Sequence, residues 1–290
     1  MINGNGIRFS TIFKLNSSHR NQKYLLRMKS PYQKVLDVLN AIQTKKSSNI
    51  ERISRNDAHD DTYDVYWALK WMLETGYIDD GLSSRYDEVL DAVAALLIKK
   101  YKDTTILPTI ADMIFNRYKK GQYIYDLVWA FFECRDPGSL IYIACRLSSP
   151  NIKDAEIACR LLSFVPNVNM QNVNRYDSFL NWFDENNKFL YYTEESFQQM
   201  NNPRIYAVSL EAKYLCTPVS PICGEIHQQL TNLEKQNLSA FNKLDSNTKL
   251  LLADYSFLLF KQNNYWWNMW TQYPTHKQIR IMYAAKGGIS

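Results

Sequence analysis

From Pro31 onward apolar residues return every three or four positions, and this spacing constrains the chain more than any other feature of its sequence. Val35, Leu36, Leu39 and Ile42 follow it, as do Tyr66, Leu69 and Leu73, and then Val89, Leu90, Val93, Leu96 and Leu97. Such a pattern gives each helix one apolar stripe to bury and leaves its other faces polar. Only 9 glycines and 9 prolines occur in 290 residues, about half the usual share, which argues against a many-stranded sandwich with a turn every ten residues. Where they occur, they punctuate. Gly76 ends one helix, Asp79, Asp80 and Gly81 make a turn, Gly121 follows Lys119 and Lys120, and Asp136, Pro137 and Gly138 open the next.

The spacing predicts helices at about 31–45, 62–75, 84–101, 106–120, 122–134, 138–148, 152–165, 175–188, 194–201, 203–215, 221–242, 246–262 and 264–283. Links of two to six polar residues cannot carry the chain across a molecule, so successive helices are expected to pack as antiparallel neighbours. No linker rich in Gly, Ser or Pro divides the chain, and residues 31–290 read as a single helical domain.

Residues 1–30 read as a basic, loosely ordered N-terminal arm with a short apolar patch at Ile7, Phe9, Ile12, Phe13 and Leu15. Seven basic side chains (Arg8, Lys14, Arg20, Lys23, Arg27, Lys29, Lys34) and no acid occur up to Leu36, so the rest of the chain carries 27 basic against 29 acidic groups. A nucleic-acid-binding surface draws its affinity from phosphate neutralisation. Only the arm has that character, which makes it the place where nucleic acid would be met. An organelle transit peptide is the other reading of the arm, and Met28, before Lys29, Ser30 and Pro31, is an alternative start. Residues 1–30 lack the pattern of a secretory leader and no run of 18 apolar residues occurs, so secretion and membrane spanning are not expected, and the five cysteines are an odd number suited to free thiols. A cytoplasmic location is expected.

The string IACRL occurs at Ile143–Leu147 and again at Ile157–Leu161, fourteen residues later. With Asp136 and Pro137 ahead of the first copy, and Asp154 and Arg160 in the second helix of the pair, residues 121–166 resemble HEAT-like repeat proteins. That resemblance implies an all-α fold, a right-handed superhelical stack of antiparallel helix pairs with degenerate repeats, whose ridge binds other proteins. It also implies a second possibility, since some HEAT-like proteins are DNA glycosylases with a basic concave face and an aromatic and an acidic residue near the flipped base.

Four constellations are candidates for function. Arg146 and Arg160 take equivalent positions in the echo, and Arg117 and Arg135 precede them. They form either a ladder that grips carboxylates or phosphates, or ties to acids such as Asp136 and Asp154. Near the C-terminus, Trp266, Trp270 and Tyr273 follow a helical stripe with Trp267 beside it and Tyr265 ahead, which either seals the end of the stack or docks a partner. Asp57, His59, Asp60, Asp61 and Asp64 supply metal-ligand types for a metal-dependent hydrolase, or acids that complement the next helix's N-terminus. Cys216, Cys223 and His227 are spaced as C-x6-C-x3-H, with Ser220 and Pro221 read as N-cap and N1 of a helix that would lower the Cys223 thiol pKa. Phosphate-binding, dinucleotide, zinc-protease and serine-hydrolase motifs are missing from the sequence, so no cofactor or metal is expected. The expected function is a non-enzymatic interaction module that binds another protein through Arg117, Arg146, Arg160, Trp266, Trp267, Trp270 and Tyr273.

Overall fold

The computed structural model describes residues 7–17, 30–44 and 59–287, and over these its regular secondary structure is helical apart from one short strand pair and an isolated bridge between Val219 and Ile226. The helices are α1 (Phe9–Asn16), α2 (Ser30–Gln43), α3 (His59–Gly76), α4 (Ser84–Lys99), α5 (Leu107–Lys119), α6 (Tyr125–Phe132), α7 (Leu140–Ala144) and α8 (Ile152–Leu161). They continue as α9 (Arg175–Asn186), α10 (Leu210–Tyr214), α11 (Asn232–Phe241), α12 (Ser246–Gln262), α13 (Asn264–Thr271) and α14 (Thr275–Gly287). Strands β1 (Leu190–Tyr192) and β2 (Tyr206–Val208) pair antiparallel, Leu190 opposite Val208. Among the described residues no helix is long and apolar enough to cross a membrane.

Local chemistry explains where the elements begin and end. The Ser83 hydroxyl accepts from the Tyr86 N–H at the start of α4, and Pro108 occupies the first turn of α5. Gly121, at φ +69°, turns the chain after α5. Departures from the expected helices have equally local causes. In the stretch read as a loosely ordered arm, residues 9–16 form a helix, because Phe9, Ile12 and Phe13 fall on one face and are buried. The rest of that arm lies largely outside the described residues. Helices were expected at 194–201 and 203–215. Instead the aromatic and β-branched runs around Tyr191 and Tyr206 pair as strands, and only Leu210–Tyr214 is helical behind its Ser209 cap. The expected 221–242 helix begins at Asn232, where Thr231 and Glu234 form a capping box. The expected 264–283 helix is cut in two, since Pro274 has no N–H to donate and restricts Tyr273 before it.

The described residues group into two compact units. One takes in residues up to Cys134, Ile141–Leu161 and Phe197–Asn201; the other takes in Arg135–Leu140, Leu162–Ser196 and the chain from Asn202. In the first, α1 and α2 pack on α3, α3 on α4, α4 on α6, α6 on α5, and α5 on α8. Phe9, Phe13 and Tyr86 meet ring to ring at 5.1–6.1 Å, and the Tyr86 hydroxyl donates to the Gly76 carbonyl at 2.9 Å. Gly76 is required by this close approach, since a Cβ there would stand 2.9 Å from both Leu90 Cδ2 and the Tyr86 hydroxyl. Gly76→Ala is therefore expected to destabilise by about 1–3 kcal/mol through overpacking, measured as a lowered urea midpoint.

In the second unit α12 is the central element, with α10, α13 and α14 packed on it and α11 on α14. Its core gathers Tyr214, Phe241, Leu252, Ala253, Trp270 and Met282. Tyr214 and Phe241 stack 4.5 Å apart. The turn at Pro274 leaves helix-end carbonyls that would be orphaned, and side chains satisfy them. Gln278 Nε2 donates to the Tyr273 carbonyl at 2.9 Å and Asn237 Nδ2 to the Thr271 and Tyr273 carbonyls at 3.1 and 3.2 Å. The Tyr214 hydroxyl, donating to Gln278 Oε1 at 2.6 Å, orients that amide.

Candidate functional site

The three arginines expected on one ridge have three different surroundings. Arg117 lies on the buried face of α5 with Ile110 and Ile114 and is only 1% exposed. Its Nε donates to both Asp80 oxygens at 3.0 Å, its Nη2 to Asp80 Oδ1 at 2.7 Å, and its Nη1 to Asp91 Oδ2 at 3.0 Å. This corrects the ridge reading. A guanidinium holding two carboxylates inside the protein has nothing left for a partner, and its work is to tie α5 to α4 and the loop after α3.

Arg146 pairs with Asp112 of α5 and lies over the Phe115 ring at 5.4 Å. Arg160 of α8 lies over the rings of Tyr125 and Phe197 at 5.5 and 5.9 Å, and those two rings stack on each other. The echoed strings bury the same three apolar positions, Ile143, Ala144 and Leu147 matching Ile157, Ala158 and Leu161, but Cys145 is exposed where Cys159 is buried. They disagree in what their arginines touch, so no ladder of free guanidiniums forms. The expected acid ties differ as well. Asp154 is held by Lys119 at 3.5 Å and by the Ser149 hydroxyl, while Asp136 caps the turn at Gly138. Arg135 lies over the Tyr192 ring at 5.0 Å.

The C-terminal aromatics divide into anchors and an exposed face. Trp270 is 3% exposed, packed edge-on against Tyr214 and Tyr255. The Trp267 indole donates to the Ser256 hydroxyl at 2.9 Å, and its ring meets Phe260 at 5.1 Å. Tyr273 lies in the turn after α13 and not on the helix, with Lys277 Nζ 3.6 Å from its ring centre. Beside these anchors on α13 stand Tyr265, Trp266 and Met269, 68%, 59% and 43% exposed. Positions 265 and 269 are four apart and 266 and 269 three apart, so the three share one face. The helix, NYWWNMWT, carries no charged side chain. Buried Trp270 and half-buried Trp267 thus fix the orientation of exposed Trp266.

The Cys216, Cys223 and His227 constellation does not assemble. Ser220 and Pro221 open a tight turn and not a helix, with Gly224 at φ +73° donating to the Ser220 carbonyl at 2.8 Å. The helix-dipole argument for Cys223 therefore has no helix to act through. Cys216, across from Ser256, has its thiol pKa pushed up to about 12 by burial. Asp57 lies outside the described residues, as do the side chains of His59, Asp60 and Asp61. Among the described residues no three His, Cys, Asp or Glu side chains gather closely enough to hold a metal ion.

Two features escaped the sequence. The partners of Arg117 come from 26 and 37 residues away, and no local spacing announces such a pair. The exposed Tyr265 and Met269 were legible as apolar positions, but which side of the stripe would be buried depends on α10 and α12. Comparison with known proteins found no matching family model, no matching curated protein and no matching solved structure.

Proposed function

We propose that the chain is a non-enzymatic interaction module, a HEAT-like stack of antiparallel helix pairs, that binds another protein through the exposed face of α13. The stacked-pair reading draws support from the first unit, where helices close in sequence pack on one another. The docking reading is carried by one observation: Tyr265, Trp266 and Met269 stand exposed together on a helix free of charge and anchored by Trp267 and Trp270. Depletion of charge with enrichment of Trp, Tyr and Met marks the centres of protein interfaces. Rigid aromatic anchors lose little conformational entropy on binding, and methionine adapts to irregular partner surfaces.

The experiment is affinity capture with the full chain against a Tyr265→Ser/Trp266→Ser variant, read by quantitative mass spectrometry. Exposed substitutions of this kind change stability by within about 0.5 kcal/mol, so the variant is expected to melt with the wild type. At least one specific partner should fall ten-fold or more in the variant. An unchanged set of captured proteins would overturn the docking reading.

A further inference from the structure

The first unit holds a cleft of about 550 Å³, lined by α2, α3 and the residues just ahead of α1, within the size range of ligand sites. Its wall is aromatic. Tyr63, Trp67 and Trp71 lie four apart on α3 and share a face. The Trp67 and Trp71 rings are 6.3 Å apart and 19° from parallel, and Tyr32 of α2 meets Trp71 edge-on at 5.4 Å.

The charges along this cleft decide what it can hold. Lys70 is already engaged, its Nζ donating to Asp103 Oδ2 at 2.9 Å, to Thr105 Oγ1 at 2.9 Å and to the Tyr66 hydroxyl at 3.2 Å. Arg8 stands 3.8 Å from Asp79. Among the described lining cations Lys70 is thus occupied, while Arg8, its side chain 52% exposed, stays open to solvent. The indole N–H groups of Trp67 and Trp71 and the hydroxyls of Tyr32 and Tyr63 have no hydrogen-bond partner among the described residues. Glu74 adds an exposed carboxylate with no ion pair among the described residues. The lining is thus aromatic and rich in donors, with one exposed carboxylate at Glu74.

We propose that this cleft binds a proline-rich peptide segment in the polyproline II conformation, with a Lys or Arg beside the proline run. Proline has no N–H, and a polyproline II helix makes no internal hydrogen bonds, so such a segment presents carbonyl acceptors and apolar rings. Acceptors meet the indole and phenol donors, the pyrrolidine rings lie against the indole faces, and the preformed helix loses little entropy on docking. Glu74 pairs with the flanking basic residue. Single-stranded nucleic acid would stack on the same rings, but Lys70 is held by Asp103 and Glu74 repels phosphate, which leaves Arg8 as the single described lining cation open to it. The site is separate from the α13 face and does not rest on it.

The test is fluorescence anisotropy with the full chain and labelled ten-residue peptides. The panel has five consecutive prolines with Arg on either side, the same peptides with Glu for Arg, Gly-Ser peptides of matched charge, and oligo-dT and oligo-U of twelve nucleotides. Saturable binding of an Arg-proline peptide is expected, at least ten-fold tighter than its Gly-Ser match. Tyr63→Ser and Trp71→Ala should each weaken it ten-fold or more. Glu74→Gln should erase the preference for Arg over Glu and keep the requirement for proline, while Trp266→Ser should leave all of these affinities unchanged. Tyr63 and Glu74 are exposed, so these variants keep the test decisive if Trp71→Ala fails to fold. The proposal is overturned if no Arg-proline peptide saturates, if Tyr63→Ser and Glu74→Gln bind as the wild type does, or if an oligonucleotide binds more tightly than every peptide.

Discussion

Arg117→Met is expected to lower the stability of the protein by about 3–5 kcal/mol, the cost of leaving buried carboxylates without their counter-ion. Methionine keeps much of the apolar stem, so the loss belongs to the guanidinium. Asp80 and Asp91, at 6% and 8% side-chain exposure, would face each other with no cation between them. Urea denaturation followed by circular dichroism reads the change, and the triple variant Arg117→Met/Asp80→Asn/Asp91→Asn should recover part of it by removing the stranded charges.

The same cluster gives the wild type a pH dependence whose sign follows from Asp91. Burial raises its pKa to about 7 from an ordinary 3.8; Arg117 pulls the other way, and Asp126 and Asp80 add to the rise. Between about pH 4 and pH 7 the native state therefore keeps a proton that the unfolded chain has lost. Stability should fall as pH rises through this window and level off above it. Asp91→Asn keeps the hydrogen bond to Arg117 and has no proton to lose, so its urea midpoint should vary less between pH 4.5 and 7.5. A steeper slope in Asp91→Asn would show that another group carries the dependence.

Trp270→Ala should destabilise the second unit by about 3–5 kcal/mol, the range for deleting a large buried aromatic. Trp270 is enclosed by Tyr214 and Tyr255, and the collapse of those rings into the vacated space is limited by the Tyr214 hydrogen bond to Gln278. Trp270→Phe should cost much less, because the Trp270 indole N–H is buried with no hydrogen-bond partner among the described residues, so that its removal forfeits none there. Trp266→Ala, one turn away along α13 and exposed to solvent, should change stability by within about 0.5 kcal/mol and, on the docking proposal, remove partner binding. Chemical denaturation of the three variants separates the packed tryptophan from the presented one.

Helices in the body of the chain were legible because their apolar spacing is local. α4 and α12 begin where expected, since Ser83 and Asp245 cap them within the same stretch of sequence. The strand pair was not legible. Residues 190–192 and 206–208 satisfy their backbone groups across fourteen residues, and their apolar runs are too short for period alone to tell strand from helix. Nor was the fate of the charged and aromatic candidates. Arg117, Arg146 and Arg160 look equivalent in the sequence, yet one is buried between carboxylates, one is paired near the surface and one lies over two rings.

What the amino-acid sequence determined by itself was the helical class, most of the helix starts, and the concentration of aromatic residues on the C-terminal helices. Each depends on side chains within a turn or two of one another. Only the tertiary structure decided which arginine is locked to Asp80 and Asp91, which tryptophan is core and which is surface, and that Tyr63, Trp67, Trp71 and Tyr32 wall a single cleft. The physical reason is that burial and charge compensation belong to pairs of residues from different elements, and a periodic stripe fixes which residues share a helix face without saying what will cover it.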